Sequence, residues 1–413
     1  MRQASSPAAS ADSRRSAAAV ERARVAVALV FAVNGLAFAS WISRVPAVRD
    51  SLGLTPAQLG LLLLCVSGGS VVSLPTAGPL VQRFTAARVV LGGSVVVSAG
   101  LVAVAVATAT GSVPLAGLGL LCTGLGIATW DVAMNVEGAA VEHRLDRPIM
   151  PRLHAGFSIG SVVGAFLGAA AAGVGLPVGW QLAATAAVLV PLLAVATRAF
   201  LPASTSVTSG ADSGATADQP AGFTVWDAWR EPRTLVIGVF TLAFALTEGT
   251  ANEWLALALT DGHGTSDAVG ALGFGVFVTA MTLGRTFGGS LLERHGRAPV
   301  LRALGLLALA GLLLVVFGPS LPFVAAGALL WGLGAALGFP VGMSAAADEP
   351  ERAALRVSVV SSVAYTAFLA GPPLIGFLAE RVGVLHALLV VVVALAVGMA
   401  TAGATRPPRP APR

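Results

Sequence analysis

Residues 289–297 read Gly289-Ser290-Leu291-Leu292-Glu293-Arg294-His295-Gly296-Arg297. A long apolar run stops here, a short charged turn follows, and the next apolar run begins at once. A weaker echo lies about half a chain earlier, at Gly78-Pro79-Leu80-Val81-Gln82-Arg83-Phe84-Thr85-Ala86-Ala87-Arg88. Two copies of one loop, each between two membrane-length apolar stretches, point to a duplicated membrane protein.

Composition agrees. Of 413 residues, 56% are hydrophobic and only 11% charged, against roughly 25% charged in a soluble domain. Most of the chain therefore faces something other than water. All 25 basic residues are arginines. Cys65 and Cys122 fall inside apolar runs with no metal or redox spacing, and read as small packing residues. Residues 1–23, rich in Ala, Ser and Arg, read as a disordered cytoplasmic tail. The apolar run after them lacks a small-residue cleavage site and reads as a retained helix.

A bilayer core needs about 20 apolar residues per helix. Twelve stretches qualify: 24–43, 56–81, 88–107, 114–137, 152–174 and 179–200, then 233–259, 267–292, 298–317, 321–345, 353–380 and 383–403. The predicted fold is an all-α membrane protein with two pseudo-symmetric six-helix bundles, 24–200 and 233–403. Residues 201–232 form the cytoplasmic linker, and 404–413 a second cytoplasmic tail. The Ser, Thr, Ala and Gly of 201–222 give a flexible tether with a reach of roughly 25 Å. Trp226, Trp229 and Arg230 then mark an interfacial segment.

With both termini inside, the outer loops hold only Arg44, Arg49 and Arg381, leaving 22 arginines (25 minus 3) on the cytoplasmic side. This positive-inside bias orients the chain with both termini cytoplasmic. It also excludes nucleic acid as a partner, because the charge spreads along one membrane face instead of gathering on a groove. Arg44, at an outer helix end, reads as a side chain that snorkels to the surface.

The halves repeat at one offset. Gly124-Leu125-Gly126 shifts by 208 onto Gly332-Leu333-Gly334, as do Gly168 onto Gly376, Gly175 onto Gly383 and Arg144 onto Arg352. The opening motif shifts by 211, from Gly78 to Gly289. A single offset across several helices implies halves related by an axis along the membrane normal, as in parallel-repeat transporters.

The chain at this point resembles the major facilitator superfamily over all twelve helices. Residues 289–297 match that family's loop signature at each defined position: Gly289, Glu293, Arg294, Gly296 and Arg297. The first copy departs from it, with Gln82 in place of the acid and Thr85 in place of the glycine. Asn34-Gly35 with Trp41-Ile42-Ser43-Arg44-Val45-Pro46, Asp131-Val132-Ala133-Met134-Asn135, His154 with Phe157-Ser158-Ile159-Gly160, and Gly371-Pro372-Pro373-Leu374-Ile375-Gly376 are similar to the narrower fucose-permease-like group. The resemblance implies alternating access through a central cavity, and usually proton coupling. It also implies a cytoplasmic gate, to which Arg83, Arg88, Glu142, Arg285, Glu293, Arg294 and Arg297 are assigned.

Charged residues within spans cost roughly 2.5–3.5 kcal/mol each at mid-membrane, so those present need a reason. Taking a carboxylate out of water favours its neutral form, which is what a reversible proton carrier needs. Glu248 stands 15 residues past Arg233, about 22 Å of rise into helix seven, with Asn252 on the same face. Asp131 and Asn135 share a face of helix four, and His154 on helix five sits at similar depth. Glu248, Asp131 and His154 are the proton-coupling candidates. Each also admits a purely structural pairing. Asn34, Phe38 and Trp41 on helix one, with Asn135, Asn252 and Tyr365, are the solute-binding candidates. Glu137 and Glu142, near a loop, read as partners of arginines such as Arg83 or Arg144. Gly156, Gly160, Gly164 and Gly168 form a packing stripe, and Gly371-Pro372-Pro373 marks a break in helix eleven.

No enzyme constellation, metal cluster or cofactor motif occurs. The partners expected are a small solute, protons and the lipid bilayer, with the protein acting as a monomer. The leading reading is a proton-coupled secondary transporter for a small polar or amphipathic solute. The alternatives are a proton-driven drug or metabolite exporter, or a membrane sensor that no longer transports.

Overall fold

The structure is a computed structural model that describes residues 7–147, 149–202 and 224–407. Among these, twelve helices are long and apolar enough to cross a membrane. They are α1 (Ala17–Ile42), α2 (Pro56–Phe84), α3 (Ala86–Thr110), α4 (Val113–Leu145), α5 (Met150–Gly173), α6 (Val178–Ala199), α7 (Pro232–Gly262), α8 (Asp267–His295), α9 (Arg297–Phe317), α10 (Leu321–Ala346), α11 (Ala353–Val382) and α12 (Val384–Thr405). The tail assigned to residues 1–23 is corrected in part: helix continues back from α1 to Pro7. The core of the linker (203–223), residues 1–6 and residues 408–413 lie outside the described residues.

Local chemistry sets the boundaries. Thr55 and Gln58 form a reciprocal capping box at the start of α2, with Pro56 in the first turn. Proline suits that position, where its missing N–H has no helical partner anyway. Thr224 and Asp227 cap the short helix Val225–Arg230 in the same way. That helix leaves Trp226 70% exposed, as an interfacial segment should.

The two copies of the opening loop share one backbone shape. Gly296, between α8 and α9, has φ 78° and ψ 162°. Thr85, between α2 and α3, has φ 81° and ψ 150°. The turn needs positive φ, natural for glycine and strained for a β-branched residue. Loss of the glycine has thus left the first loop's geometry intact, with strain held in Thr85.

Each half repeats the same neighbours: α1 packs on α5 as α7 packs on α11, α2 on α4 as α8 on α10, and α3 on α6 as α9 on α12. The glycine stripe of α5 lies against α1. A Cβ on Gly160 would stand 1.8 Å from the Ala32 carbonyl oxygen, so the helices meet backbone to backbone. Helix α11 runs unbroken through Pro372 and Pro373, contrary to the expected break.

The most extensive contacts between the halves are α2 with α11 and α5 with α8. Close cross-half contacts gather at the face opposite the termini. A Cβ on Gly60 would lie 2.5 Å from the Pro372 carbonyl oxygen, and one on Gly376 would lie 2.6 Å from that of Pro56. The Glu380 carboxylate accepts from the Ala57 N–H at 3.2 Å and the Thr55 hydroxyl at 3.3 Å. Arg49 pairs with Asp261 across the halves.

The termini-bearing face differs. A lipid-facing stripe alone exposes residues evenly along a helix. Instead α2 buries Ala57, Leu59, Gly60, Leu62 and Leu63 toward the closed face, yet exposes Pro75, Thr76, Pro79, Gln82, Arg83 and Phe84 toward the other. Helix α8 does the same, with Phe274 and Phe277 buried and Phe287 69% exposed. The seam is sealed at one face and parted at the face that carries the termini.

Candidate functional site

A cavity of about 190 Å³ lies at the seam, walled by α1, α2, α7 and α11. Phe38, Trp41, Ser67, Ser70, Asn252, Glu253, Tyr365 and Phe368 supply its polar and aromatic groups. Four of the six expected solute-binding residues (Phe38, Trp41, Asn252 and Tyr365) therefore come together from three helices in both halves. Their convergence follows from helical spacing: Phe38 and Trp41 share a face of α1, as Tyr365 and Phe368 share one of α11.

The other two sit elsewhere. Asn34 is 1% exposed, outside the cavity lining, and its amide oxygen and nitrogen lack hydrogen-bond partners. Asn135 donates its amide to the Asp131 backbone carbonyl at 2.9 Å.

The ionisable groups divide sharply. Glu248 is not a free carboxylate. Both its oxygens stand 2.8 Å from Nη2 of Arg285, so α7 and α8 are tied by an ion pair. Arg285 Nε also donates to the Ala336 carbonyl at 3.2 Å. Arg285, expected at the gate, thus serves inside the C-terminal bundle. Asp131 has no side-chain hydrogen bond or ion pair among the described residues, and it is not among the residues that line the cavity. His154 meets the Phe31 ring edge-on at 5.1 Å. No hydrogen bond joins Asp131 to His154 among the described residues.

Several gate expectations are corrected. Glu142 pairs with no arginine among the described residues. It accepts from the N–H groups of Ile149 and Met150 at 2.6 and 2.7 Å, capping the start of α5 where orphan donors and the helix dipole favour an anion. Glu137 likewise accepts from the Leu201 N–H at 2.6 Å, not from an arginine. Arg83 lies over the ring of its neighbour Phe84, and Arg88, Glu293 and Arg294 are exposed. Arg297 does hold the C-terminal half together. It donates to Asp348 at 2.7 Å and to the Ser344 hydroxyl at 3.1 Å. Arg233 meets the same Asp348 at 2.8 Å, and Arg356 binds Glu231 and Glu349. Arg44 does not snorkel. It is 4% exposed and donates to Gln181 at 2.8 Å and the Leu176 carbonyl at 3.0 Å.

Sequence reading gave no site role to Glu253, Phe368, Ser67 or Ser70. Glu253 had a visible signal, as an acid inside an apolar span. The two serines had none, since serine is ordinary in membrane helices.

Two repeated six-helix bundles around a seam cavity, closed at one face and open at the other, define a multi-pass transporter fold. Comparison with known proteins specifies it. The Major Facilitator Superfamily pattern matches residues 238–413. The chain is 35% identical over 355 residues to an uncharacterized transporter, y4wD, of Sinorhizobium fredii, covering 86% of this chain and 90% of that one. It is 31% identical over 358 residues to an uncharacterized MFS-type transporter of Yersinia pestis, covering 86% and 89%. The chain belongs to the major facilitator superfamily and is a membrane transporter. Its fold is that of the nucleoside transporter NupG (TM-score 0.73, 14% identity, 93% and 98% covered) and of FucP in the outward conformation (TM-score 0.60, 15% identity, 92% and 97% covered).

Proposed function

We propose that the protein is a proton-coupled secondary transporter that moves a small polar or amphipathic solute by alternating access. The observation that carries this reading is the seam cavity, lined by aromatic rings and hydrogen-bonding groups from both halves. The halves rock about the seam. Closing the parted face while separating α2 from α11 and α5 from α8 would turn the cavity toward the other side. The arginine bias orients the parted face, and both termini, toward the cytoplasm of a bacterial inner membrane.

Asp131 is the better proton carrier than Glu248, because its carboxyl is not engaged by a cation. His154, on α5 at the seam with α8, is the second candidate for protonation. A cavity of about 190 Å³ favours small solutes over the drug-sized ones, whose pockets run to about 300–1,000 Å³. This weighs against the exporter alternative. The test is solute flux in sealed proteoliposomes with and without a pH gradient. Asp131→Asn abolishes gradient-driven accumulation while leaving exchange in place. Gradient-driven flux that survives Asp131→Asn refutes the assignment, and no flux of any solute returns the sensor reading.

A further inference from the structure

The cavity has a charge preference that solute size and coupling leave open. Phe38, Trp41, Tyr365 and Phe368 turn four aromatic rings toward it, and the Tyr365 and Phe368 rings stand 6.1 Å apart at 50°. Glu253 shares the wall, and no hydrogen bond or ion pair engages its carboxylate among the described residues. Arginine and histidine do not line the cavity. Arg285, inside the same bundle as Glu253, is already bound to both oxygens of Glu248, and Arg44, beyond Trp41, donates to Gln181 and the Leu176 carbonyl.

A carboxylate withdrawn from water without a counter-ion is expensive, and aromatic faces attract cations. A neutral ring-shaped solute would use Asn252, Ser67 and Ser70 and leave Glu253 without a partner. An anion would meet the Glu253 carboxylate and no basic residue in the lining. We propose that the cavity takes a small organic cation, a protonated amine or quaternary ammonium on a compact polar body, with Glu253 as its counter-ion and the four rings around its positive end. This rests on the transport reading and names the solute class within it.

The test uses the full-length protein in liposomes and matched probes: choline against its uncharged carbon analogue 3,3-dimethylbutanol, glucosamine against glucose, and glucuronate as the anion. The expected result is saturable flux, or quenching of tryptophan fluorescence, for at least one ammonium member, tenfold or more above its neutral partner. Glu253→Gln should erase that preference and Glu253→Asp retain part of it, at unchanged thermal stability. Phe368→Leu should weaken the ammonium probe by a larger factor than its neutral partner. If neutral or anionic probes move and the ammonium probes do not, the charge assignment is overturned and the transport reading stands. If Glu253→Gln keeps the ammonium preference, the counter-ion role is overturned. If no probe binds or moves, the solute-class proposal is overturned, and the transport reading is decided by the pH-gradient flux assay with a wider solute panel.

Discussion

One guanidinium nitrogen of Arg285, Nη2, stands 2.8 Å from each carboxylate oxygen of Glu248. The ion pair sits inside the C-terminal bundle, its acid 16% and its base 31% exposed. By the loop offset of 211, the N-terminal residue matching Arg285 is Leu74 (285 minus 211), so the pair has no twin in the other half. Glu248→Gln or Arg285→Ala should each destabilise the protein by about 1.5–3 kcal/mol, the range for hydrogen bonds to charged groups. The double variant should lose less than the sum of the two. Thermal unfolding of the four proteins in detergent measures this, and strict additivity would remove the pair from the stability account.

Thr85 occupies a conformation that its twin, Gly296, adopts without strain. Backbone strain of this kind costs about 1–3 kcal/mol, partly offset in a Thr85→Gly variant by glycine's added freedom when unfolded. Thr85→Gly should therefore raise stability by about 1 kcal/mol, while Gly296→Thr should lower it. Equal and opposite melting shifts of a few degrees are not required, only opposite signs.

The sealed face depends on close backbone approach between α2 and α11. Gly60→Val forces a side chain into the Pro372 carbonyl. Overpacking costs about 1–3 kcal/mol, enough to shift the balance of the two faces by roughly five- to thirtyfold per one or two kcal/mol. A Ser67→Cys probe in the cavity wall, with Cys65 and Cys122 replaced, should then react faster with an impermeant thiol reagent from the far side. Asp261→Asn, which breaks the exposed pair with Arg49, should give a smaller acceleration that high salt mimics, since such pairs contribute about 0.2–1 kcal/mol.

Acid should loosen the charge network beneath the C-terminal bundle. Partial burial pushes the Glu231 carboxyl up, but hydrogen bonds from Arg356 and Thr234 outweigh it and hold Glu231 below its ordinary value. A depressed carboxyl contributes stability that is present above its unfolded value and is lost as pH falls through the folded one. The melting temperature should thus fall on acidification below the ordinary carboxylate range. Glu231→Gln should be less stable at neutral pH and respond less to acid.

Glu142 works as a cap, not a gate. Glu142→Ala should cost about 0.5–2 kcal/mol of stability, as loss of other N-terminal caps does. Replacing Arg83 or Arg144, its expected partners, should leave stability near that of the parent. A melting loss from Arg83→Ala as large as that from Glu142→Ala would restore the gate role.

The architecture was legible because a bilayer imposes length and apolarity on every span, and duplication writes itself as a fixed offset. The cavity was legible where helical spacing aligned large side chains, as with Phe38 and Trp41. Pairing was not. Glu248 and Arg285 stand 37 residues apart, and nothing local says that α7 and α8 bring them face to face. Glu142 misled because an acid beside arginines reads as an ion-pair partner, whereas the free N–H groups at the start of α5 were nearer. Asn34 shared a helical face with Phe38, but packing closed over it before the cavity began.

The contact between α2 and α11 is made where side chains are missing, peptide against peptide. Such a surface has no chemical identity with which to greet or reject a passing molecule. The closed end behaves as an impartial stopper, and discrimination among solutes is left to the chamber beneath it. A change of diet therefore asks only for new walls, while the stopper can be inherited untouched.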